Sequence, residues 1–132
     1  MKILLDTQIL LWAAARSNLL SEQVRQLLTD DDNEIYFSPA SLWEVAIKNA
    51  RNRPDFQVDA KALRTQLLER DYHEIAITGL HTTAVNDLPM LHKDPFDRLL
   101  LAQAKIEGIS LITSDATLAK YPAPVIIVRK CS

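Results

Sequence analysis

The sequence is poor in the residues that mark several large classes of protein. One cysteine, Cys131, and two glycines, Gly79 and Gly108, occur among its 132 residues. A single cysteine can form neither an internal disulfide nor a multi-cysteine zinc site, which favours a reducing compartment. No apolar run approaches the ~20 residues that span a bilayer. Asp6 and Gln8 also interrupt the apolar N-terminus, where a signal peptide would stay apolar. We therefore expect a cytoplasmic protein with no membrane partner.

Neither sign of charge dominates the chain. Fifteen basic and seventeen acidic residues give a net charge of −2, which argues against a protein that holds nucleic acid through a broad positive surface. An RNA substrate remains compatible with this charge, because acids gathered around metal ions would leave the other surfaces slightly basic. The sequence has neither the GxGxxG motif nor a P-loop, so hydride transfer and NTPase chemistry are not expected.

The pattern of apolar residues predicts alternating strands and helices within one domain, residues 1–132. The expected strands cover 3–5, 34–37, 73–77, 109–113 and 125–128. The expected helices cover 7–15, 21–29, 38–52, 59–70, 78–88, 94–107 and 115–120. Strands that are apolar on consecutive residues and alternate with helices indicate a parallel sheet covered on both faces. The sequence therefore predicts an α/β fold.

Carboxylates occur where strands or loops give way to helices in four separate stretches. Asp6 and Asp115 follow strands, Glu44 lies in the helix after the second strand, and Asp94 and Asp97 begin the longest helix. Ligands of such folds bind outside the carboxyl ends of the strands. Two carboxylates ~4 Å apart repel by about 4 kcal/mol at an effective dielectric of ~20, so a cluster requires cations. Carboxylates favour Mg²⁺ or Mn²⁺, and we therefore expect a metal-dependent phosphodiesterase, most simply a small ribonuclease.

Each of these acids also has a local explanation. Asp6, Asp94 and Asp115 suit helix N-caps, a role worth roughly 1 kcal/mol. Glu44 suits a capping box or an exposed ion pair with Lys48. Separate capping does not explain why acids from four segments begin helices on one side of the sheet, so the joint metal interpretation is favoured.

The histidines and tryptophans are assigned to the scaffold. His73, His81 and His92 lack the HExxH spacing and a nearby cysteine, so no zinc site is expected and they are predicted to be surface or core residues. Trp12 and Trp43 lie on apolar helix faces and are predicted to fill the core rather than to stack on bases.

Four motifs together resemble the PIN domain family, in its subgroup of VapC-type toxins from type II toxin-antitoxin pairs. They are ILLDTQILLW, SPASLWEVAIK, HKDPFDRLLLAQA and LITSD, in the family's order and over nearly the whole chain. The resemblance implies a PIN-like three-layer α/β/α fold with a five-stranded parallel sheet and an acidic pocket for Mg²⁺ or Mn²⁺. Gln8 departs from the histidine that close relatives often carry, which should change the pocket rim without removing a ligand.

The resemblance also implies an activity and partners. It implies an endoribonuclease that leaves a 3′-hydroxyl and a 5′-phosphate, a homodimer, and a cognate antitoxin whose peptide covers the acidic pocket. By motif position, Asp6, Glu44, Asp97 and Asp115 match the catalytic and metal-binding acids. Asp94 is an additional acid, and its role as a ligand, a partner of a ligand or a cap is left open.

Five basic residues are candidates for contacts with RNA phosphates, although solvated surface charge would also account for any one of them. They are Lys48, Arg51, Arg53, Lys93 and Arg98.

Three alternatives to this function stay open. A haloacid-dehalogenase-like phosphatase would need a second aspartate where the chain has Gln8. A non-catalytic interaction module would use the acids only as caps, and Mn²⁺ would then not raise its melting temperature. A PIN nuclease of RNA processing, or one that acts on structured DNA outside a toxin pair, is disfavoured by the compact length.

Overall fold

The structure is a computed structural model that describes residues 1–50 and 58–129. A sheet of five parallel strands lies at its centre. The strands are β1 (Lys2–Leu5), β2 (Glu34–Phe37), β3 (His73–Glu74), β4 (Ser110–Thr113) and β5 (Val125–Ile127). Their order across the sheet is β3-β2-β1-β4-β5, so β1 is the middle strand.

Helices connect the strands. Within the described ranges these are α1 (Thr7–Ala15), α2 (Glu22–Thr29), α3 (Pro39–Ala50), α4 (Ala60–Glu69), α5 (Gly79–Ala84) and α6 (Pro95–Glu107). Short 3-10 helices cover Ser17–Leu19, Val85–Asp87 and Ala116–Lys120. None of the helices in residues 1–50 and 58–129 combines the length and the apolar character needed to cross a bilayer.

The helices form a layer on each face of the sheet. Successive side chains of a strand point to opposite faces. Ile3 and Leu5 therefore join the apolar cluster formed with α1 to α4, whereas Leu4 joins the cluster formed with α6 and the turns around it. All three side chains are fully buried. The predicted α/β fold, with a five-stranded parallel sheet between helical layers, is confirmed.

The strand predicted at 73–77 is shorter than expected. Its ladder with β2 ends at the pair Phe37 and Glu74, and one further hydrogen bond joins the Ile75 amide to the Phe37 carbonyl. Because β2 itself ends at Phe37, the next residues of this edge strand have no ladder partner. The predicted helix at 115–120 is also tighter than expected, since it forms a 3-10 helix.

The strand order brings two chain segments together at one edge of the sheet. Connections run outward from β1 through β2 to β3 on one side, and β4 and β5 lie on the other side. The ends of β1 and β4 are in register at Leu5 and Ile112, and the Asp6 amide donates to the Ile112 carbonyl at 3.0 Å. In open parallel sheets such a reversal of strand order creates a crevice at the carboxyl ends.

Candidate metal centre

Asp6 begins the site at the end of the middle strand. Its Oδ1 accepts from the Ile9 amide at 2.8 Å and so caps α1, and its Oδ2 accepts from the Thr113 hydroxyl. Burial raises the pKa of Asp6 to about 6, and the charges of Glu44 and Asp115 act in the same direction against the two hydrogen bonds. The carboxylate is therefore held firmly in a place where its charge is poorly solvated.

Asp94 and Asp97 come from the first turn of α6. Asp94 Oδ1 caps the helix, accepting from the amides of Phe96 at 2.8 Å and Asp97 at 3.3 Å. Burial raises the pKa of Asp97 to about 7, with further contributions from the charges of Asp94 and Asp6. At neutral pH Asp97 is thus a carboxyl group that a nearby cation would readily deprotonate.

Asp115 lies two residues beyond β4. Its Oδ1 accepts from the Thr117 amide at 2.9 Å, and its Oδ2 lies 2.8 Å from His92 Nε2. Burial alone would raise the pKa of Asp115, but the hydrogen bonds from His92 and Thr117 outweigh it, so the pKa is lowered. The Asp115 amide donates to Thr113 Oγ1 at 3.1 Å. One threonine hydroxyl therefore connects Asp115 to Asp6.

Glu44 lies on α3, the helix that follows β2, and β2 is the neighbour of β1 in the sheet. The hydroxyl of Thr7 donates to Ser41 Oγ at 2.9 Å and ties the start of α1 to α3, one turn before Glu44. Glu44 Oε2 pairs with Lys48 Nζ at 3.0 Å, which was one of the two local explanations for this acid, although Glu44 is buried rather than exposed. Glu44 Oε1 is also buried and has no hydrogen-bond partner among the described residues.

These side chains line one cleft of about 250 Å³ at the carboxyl edge of the sheet. We call it the acidic cleft, and its lining consists of Asp6, Thr7, Gln8, Leu11, Glu44, Lys48, Asp94, Asp97, Ser114 and Asp115. The structure thus brings together all five acids that the sequence selected, from four separate chain segments.

Asp6 and Asp115 each cap a helix and also face the site, and they use different carboxylate oxygens for the two roles. In Asp6 and Asp115, Oδ1 caps a helix while Oδ2 points to a partner across the site. Asp94 caps with Oδ1 alone. The caps therefore serve to orient the carboxylates, and the local explanation does not compete with the joint one.

The residues of the acidic cleft fit a hard divalent cation. The donors are carboxylate oxygens, which Mg²⁺ and Mn²⁺ prefer. Glu44 Oε1 is a buried polar atom without a partner among residues 1–50 and 58–129, and such an atom is costly unless something binds it. The raised pKa values of Asp6 and Asp97 show that these negative charges lack compensation in the protein alone. A bound cation would supply it.

Comparison with known proteins places the fold in a family. The sequence model of the PIN domain matches residues 3–124. The chain belongs to the PIN domain family. PIN domains are nucleases that generally use divalent metals, in agreement with the carboxylates of the acidic cleft. No curated protein sequence matches the chain.

Solved structures of similar fold cover nearly the whole chain. VapBC2 from Rickettsia felis, bound to a DNA fragment from its promoter, has a TM-score of 0.71 at 19% identity, over 98% of this chain and 99% of that one. DNA-bound VapBC from Salmonella typhimurium has a TM-score of 0.68 at 16% identity, over 96% and 98%. A domain of a functionally unknown protein from Methanocaldococcus jannaschii has a TM-score of 0.59 at 17% identity, over 97% and 91%. At these sequence identities the similarity shows a shared fold and nothing further.

One polar residue beside the acidic cleft was not predicted. His92 was assigned to the surface or the core, yet its Nε2 also lies 3.5 Å from Asp97 Oδ2, and the three potential ligand atoms of His92, Asp97 and Asp115 lie within 4.8 Å of one another. His92 Nδ1 accepts from the Asp94 amide at 3.0 Å, so in the neutral ring Nε2 carries the proton and donates to Asp115. The available signal was its position in HKDPFDR, two residues before Asp94.

Of the five predicted phosphate contacts, one is contradicted. Arg98 is 7% exposed, and its guanidinium donates to main-chain carbonyls of the turn before α6, including those of Val85 and Pro89. The prediction that Arg98 contacts RNA is therefore wrong, because its guanidinium is buried against the turn before α6 and holds that turn in place. Lys48 lines the acidic cleft, and Lys93 lines a neighbouring cleft together with Lys48 and Asp94. Two further candidates, Arg51 and Arg53, lie outside the described residues.

The two tryptophans differ from each other. Trp12 is buried as predicted, but Trp43 is 63% exposed, so its assignment to the core is wrong. Val45 on the same helix is fully buried, and residues two apart on a helix face different directions. Trp43 instead meets the ring of Phe96 from α6.

The raised pKa values predict how pH changes the stability of the metal-free protein. Because Asp6 and Asp97 have pKa values of about 6 and about 7 rather than 3.8, protons bind the folded state more tightly than the unfolded state. This stabilisation is complete below about pH 4 and is lost as the pH rises through 6 and 7. In EDTA, we expect the melting temperature of the wild type to fall from pH 5 to pH 8 more steeply than that of Asp97→Asn.

Adding Mn²⁺ completes this test. Since the cation competes with protons for the same carboxylates, it should raise the melting temperature of the wild type more at pH 8 than at pH 5. Two results would contradict this description of the cleft. One is a melting temperature that falls equally with pH in the wild type and in Asp97→Asn. The other is a wild-type melting temperature that Mn²⁺ leaves unchanged at both pH values.

Thr113 predicts a second effect on stability. Thr113→Val keeps the shape of the side chain but removes the hydroxyl that joins Asp6 to the Asp115 amide. Buried polar groups left unpaired cost about 1–3 kcal/mol, so urea unfolding at pH 8 should show a loss of this size. Thr113→Ser, which keeps a hydroxyl at this position, is the matched control and should lose less of the free energy of unfolding. A valine variant as stable as the serine variant would show that the connection is unimportant.

Proposed function

We propose that this PIN domain is a metal-dependent endoribonuclease, a VapC-like toxin that hydrolyses RNA phosphodiester bonds and that a cognate antitoxin inhibits. The observation that carries the proposal is the convergence of Asp6, Glu44, Asp97 and Asp115 in one cleft. The fold similarity to VapBC structures supports the assignment to the toxin group.

The same four acids would hold Mg²⁺ or Mn²⁺ in this proposal, and Asp94 would assist them from the cleft wall. When bound, the cation supplies Lewis-acid activation of the attacking water and neutralises charge that develops on the transferred phosphate. Asp6 and Asp115 are oriented by their hydrogen bonds with Thr113, Ile9 and Thr117, so they need little rearrangement before binding. No nucleophilic serine or catalytic histidine is needed for such a reaction.

Lys48 and His92 adjust the charge of the cleft. The ammonium group of Lys48 pairs with Glu44 at 3.0 Å in the structure, and it would be free to contact a substrate phosphate if a bound cation compensated Glu44. His92 donates to Asp115 and so lowers the proton affinity of that carboxylate. Lys93, which is exposed beside Asp94, is the second proposed phosphate contact.

The proposed partners follow from the same assignment. An antitoxin would cover the acidic cleft, and a second copy of the chain would form a homodimer. The enzyme would act on RNA in the cytoplasm, and its products would carry a 3′-hydroxyl and a 5′-phosphate.

Removing single charges in the acidic cleft tests the nuclease directly. Asp97→Asn and Asp6→Asn should each lower the rate of RNA cleavage in Mg²⁺ or Mn²⁺ at least about a hundredfold, because each removes an anionic ligand and the charge it contributes. The measurement is cleavage of a labelled RNA, with EDTA as a blank. Asp31→Asn, at an exposed aspartate outside the cleft, is the control and should keep full activity. Folded cleft variants that cut RNA as fast as the wild type would disprove the mechanism.

The toxin assignment has its own test in cells. Induced expression of the wild type should arrest growth, and the Asp97→Asn variant should not. Co-expression of the protein encoded by the adjacent reading frame should restore growth, since it would occupy the cleft. Arrest that persists with that protein present would count against it as the partner, while sequencing of new 5′ ends after induction would identify the RNA that is cut.

A further inference from the structure

A second cleft adjoins the acidic cleft. It has a volume of about 360 Å³ and is lined by Glu44, Ile47, Lys48, Lys93, Asp94, Pro95 and Phe96. We call it the aromatic cleft. Three residues line both clefts, namely Glu44, Lys48 and Asp94. A polymer bound in the acidic cleft could therefore continue into the aromatic cleft without crossing another surface.

An aromatic pair lies beside this second cleft, since Phe96 is part of its lining and Trp43 is outside the lining but contacts Phe96. The rings of Trp43 and Phe96 lie 5.3 Å apart between centroids at an interplanar angle of 76°, an edge-to-face arrangement. Phe96 is half-buried against the core cluster of α6, and its amide is held by the cap of Asp94. Trp43 is 63% exposed. Phe96 thus fixes the indole from one side, while much of the indole surface stays open to solvent.

Positive charge lies beside the aromatic pair. Lys93 is exposed on the segment that leads into α6, and Lys48 lies on α3 one turn after Glu44. Trp43 lies one turn before Ile47 on the same helix, so the aromatic and basic residues of α3 form adjacent rows. The cleft therefore combines a π surface with two lysines, and its lining also contains two carboxylates, Glu44 and Asp94, of which Glu44 pairs with Lys48.

We propose that the aromatic cleft binds an unpaired nucleotide of single-stranded RNA next to the phosphate that is cut. Trp43 would stack on its base, Phe96 would hold the indole in place, and Lys93 would contact the adjoining phosphate. This inference rests on the proposed nuclease function and assigns to Trp43 and Lys93 the positioning of its RNA substrate. Stacking on aromatic side chains beside a basic groove is the usual way in which proteins bind single strands without reading sequence.

The charges favour RNA over a protein segment as the occupant. A phosphodiester chain presents anions and planar bases in alternation, which matches the lysines and the aromatic pair together. An apolar peptide would use Trp43 and Phe96 but would bury the exposed ammonium group of Lys93, which is costly. A basic peptide would meet Glu44 and Asp94 as well as the two lysines, and it would be disfavoured where the proposed cation already compensates these acids.

Binding measurements in the Asp97→Asn background test the proposal without cleavage. The probe is a labelled single-stranded RNA of ten nucleotides, followed by fluorescence anisotropy. Trp43→Ala should weaken binding about tenfold, within the range for one base stacked on an aromatic ring. Leu80→Ala is the matched control, because Leu80 is also 63% exposed but lies on α5 outside both clefts. Trp43→Phe, which keeps an aromatic ring, should bind nearly as well as the parent.

A second probe separates stacking from charge. An oligonucleotide of the same length with abasic sugars keeps the phosphates but has no bases. Trp43→Ala should bind it as well as the parent does, whereas Lys93→Gln should weaken binding of both probes and do so less at high salt. In the active enzyme, Trp43→Ala should raise KM about tenfold and change kcat by less than about threefold.

The outcomes distinguish this inference from the proposed function. If the wild type neither binds nor cuts RNA, the nuclease assignment fails and the base site fails with it. If the wild type cuts RNA but Trp43→Ala behaves like Leu80→Ala, only the base site is wrong. Equal losses on the normal and abasic probes would also overturn it. So would a Trp43→Ala variant that binds RNA normally but loses the antitoxin or the dimer, which would assign the surface to a protein partner.

Discussion

Burial of carboxylates at the carboxyl edge of the sheet, together with their mutual repulsion, is the constraint that organises the site. Burial raises the pKa of Asp6 to about 6 and that of Asp97 to about 7, and the negative charges of Glu44 and Asp94 add to the effect. Groups of this kind stay ionised together only if a positive charge joins them. In the protein alone, the ammonium group of Lys48 and the hydrogen bond from His92 stabilise part of this negative charge. The charge that is left without compensation favours the binding of a divalent cation.

The scaffold holds the carboxylates in place with ordinary devices. Helix caps fix Asp6, Asp94 and Asp115 through Oδ1, and the Thr113 hydroxyl links the first of these to the segment that carries the last. Each cap stabilises a helix by roughly 1 kcal/mol while it sets the direction of the second oxygen. The strand order then brings Asp6 and Asp115 to the same place, because β1 and β4 are neighbours although far apart in the sequence. Stability and the proposed chemistry thus share the same residues.

Much of this arrangement could be predicted from the sequence, and the exceptions have physical reasons. The aspartates were identifiable because each follows a strand or begins a helix, and Glu44 because it lies in the helix after the second strand, positions that local patterns reveal. The role of Arg98 was missed because a charged residue in the first turn of a helix is ordinarily exposed, and only the turn packed against it creates carbonyl partners. His92 and Trp43 depend on contacts between segments distant in the chain, with Asp115 and Phe96 respectively. Local periodicity carries no information on such contacts.

Anomalous diffraction from crystals grown with Mn²⁺ is the most direct test of whether these acids form a metal centre. The account predicts an anomalous peak in the acidic cleft, within coordination distance of oxygens from Asp6, Glu44, Asp97 and Asp115, with Lys48 displaced from Glu44. A well-ordered structure at saturating Mn²⁺ with no peak in the cleft, and with Lys48 still paired to Glu44, would contradict it.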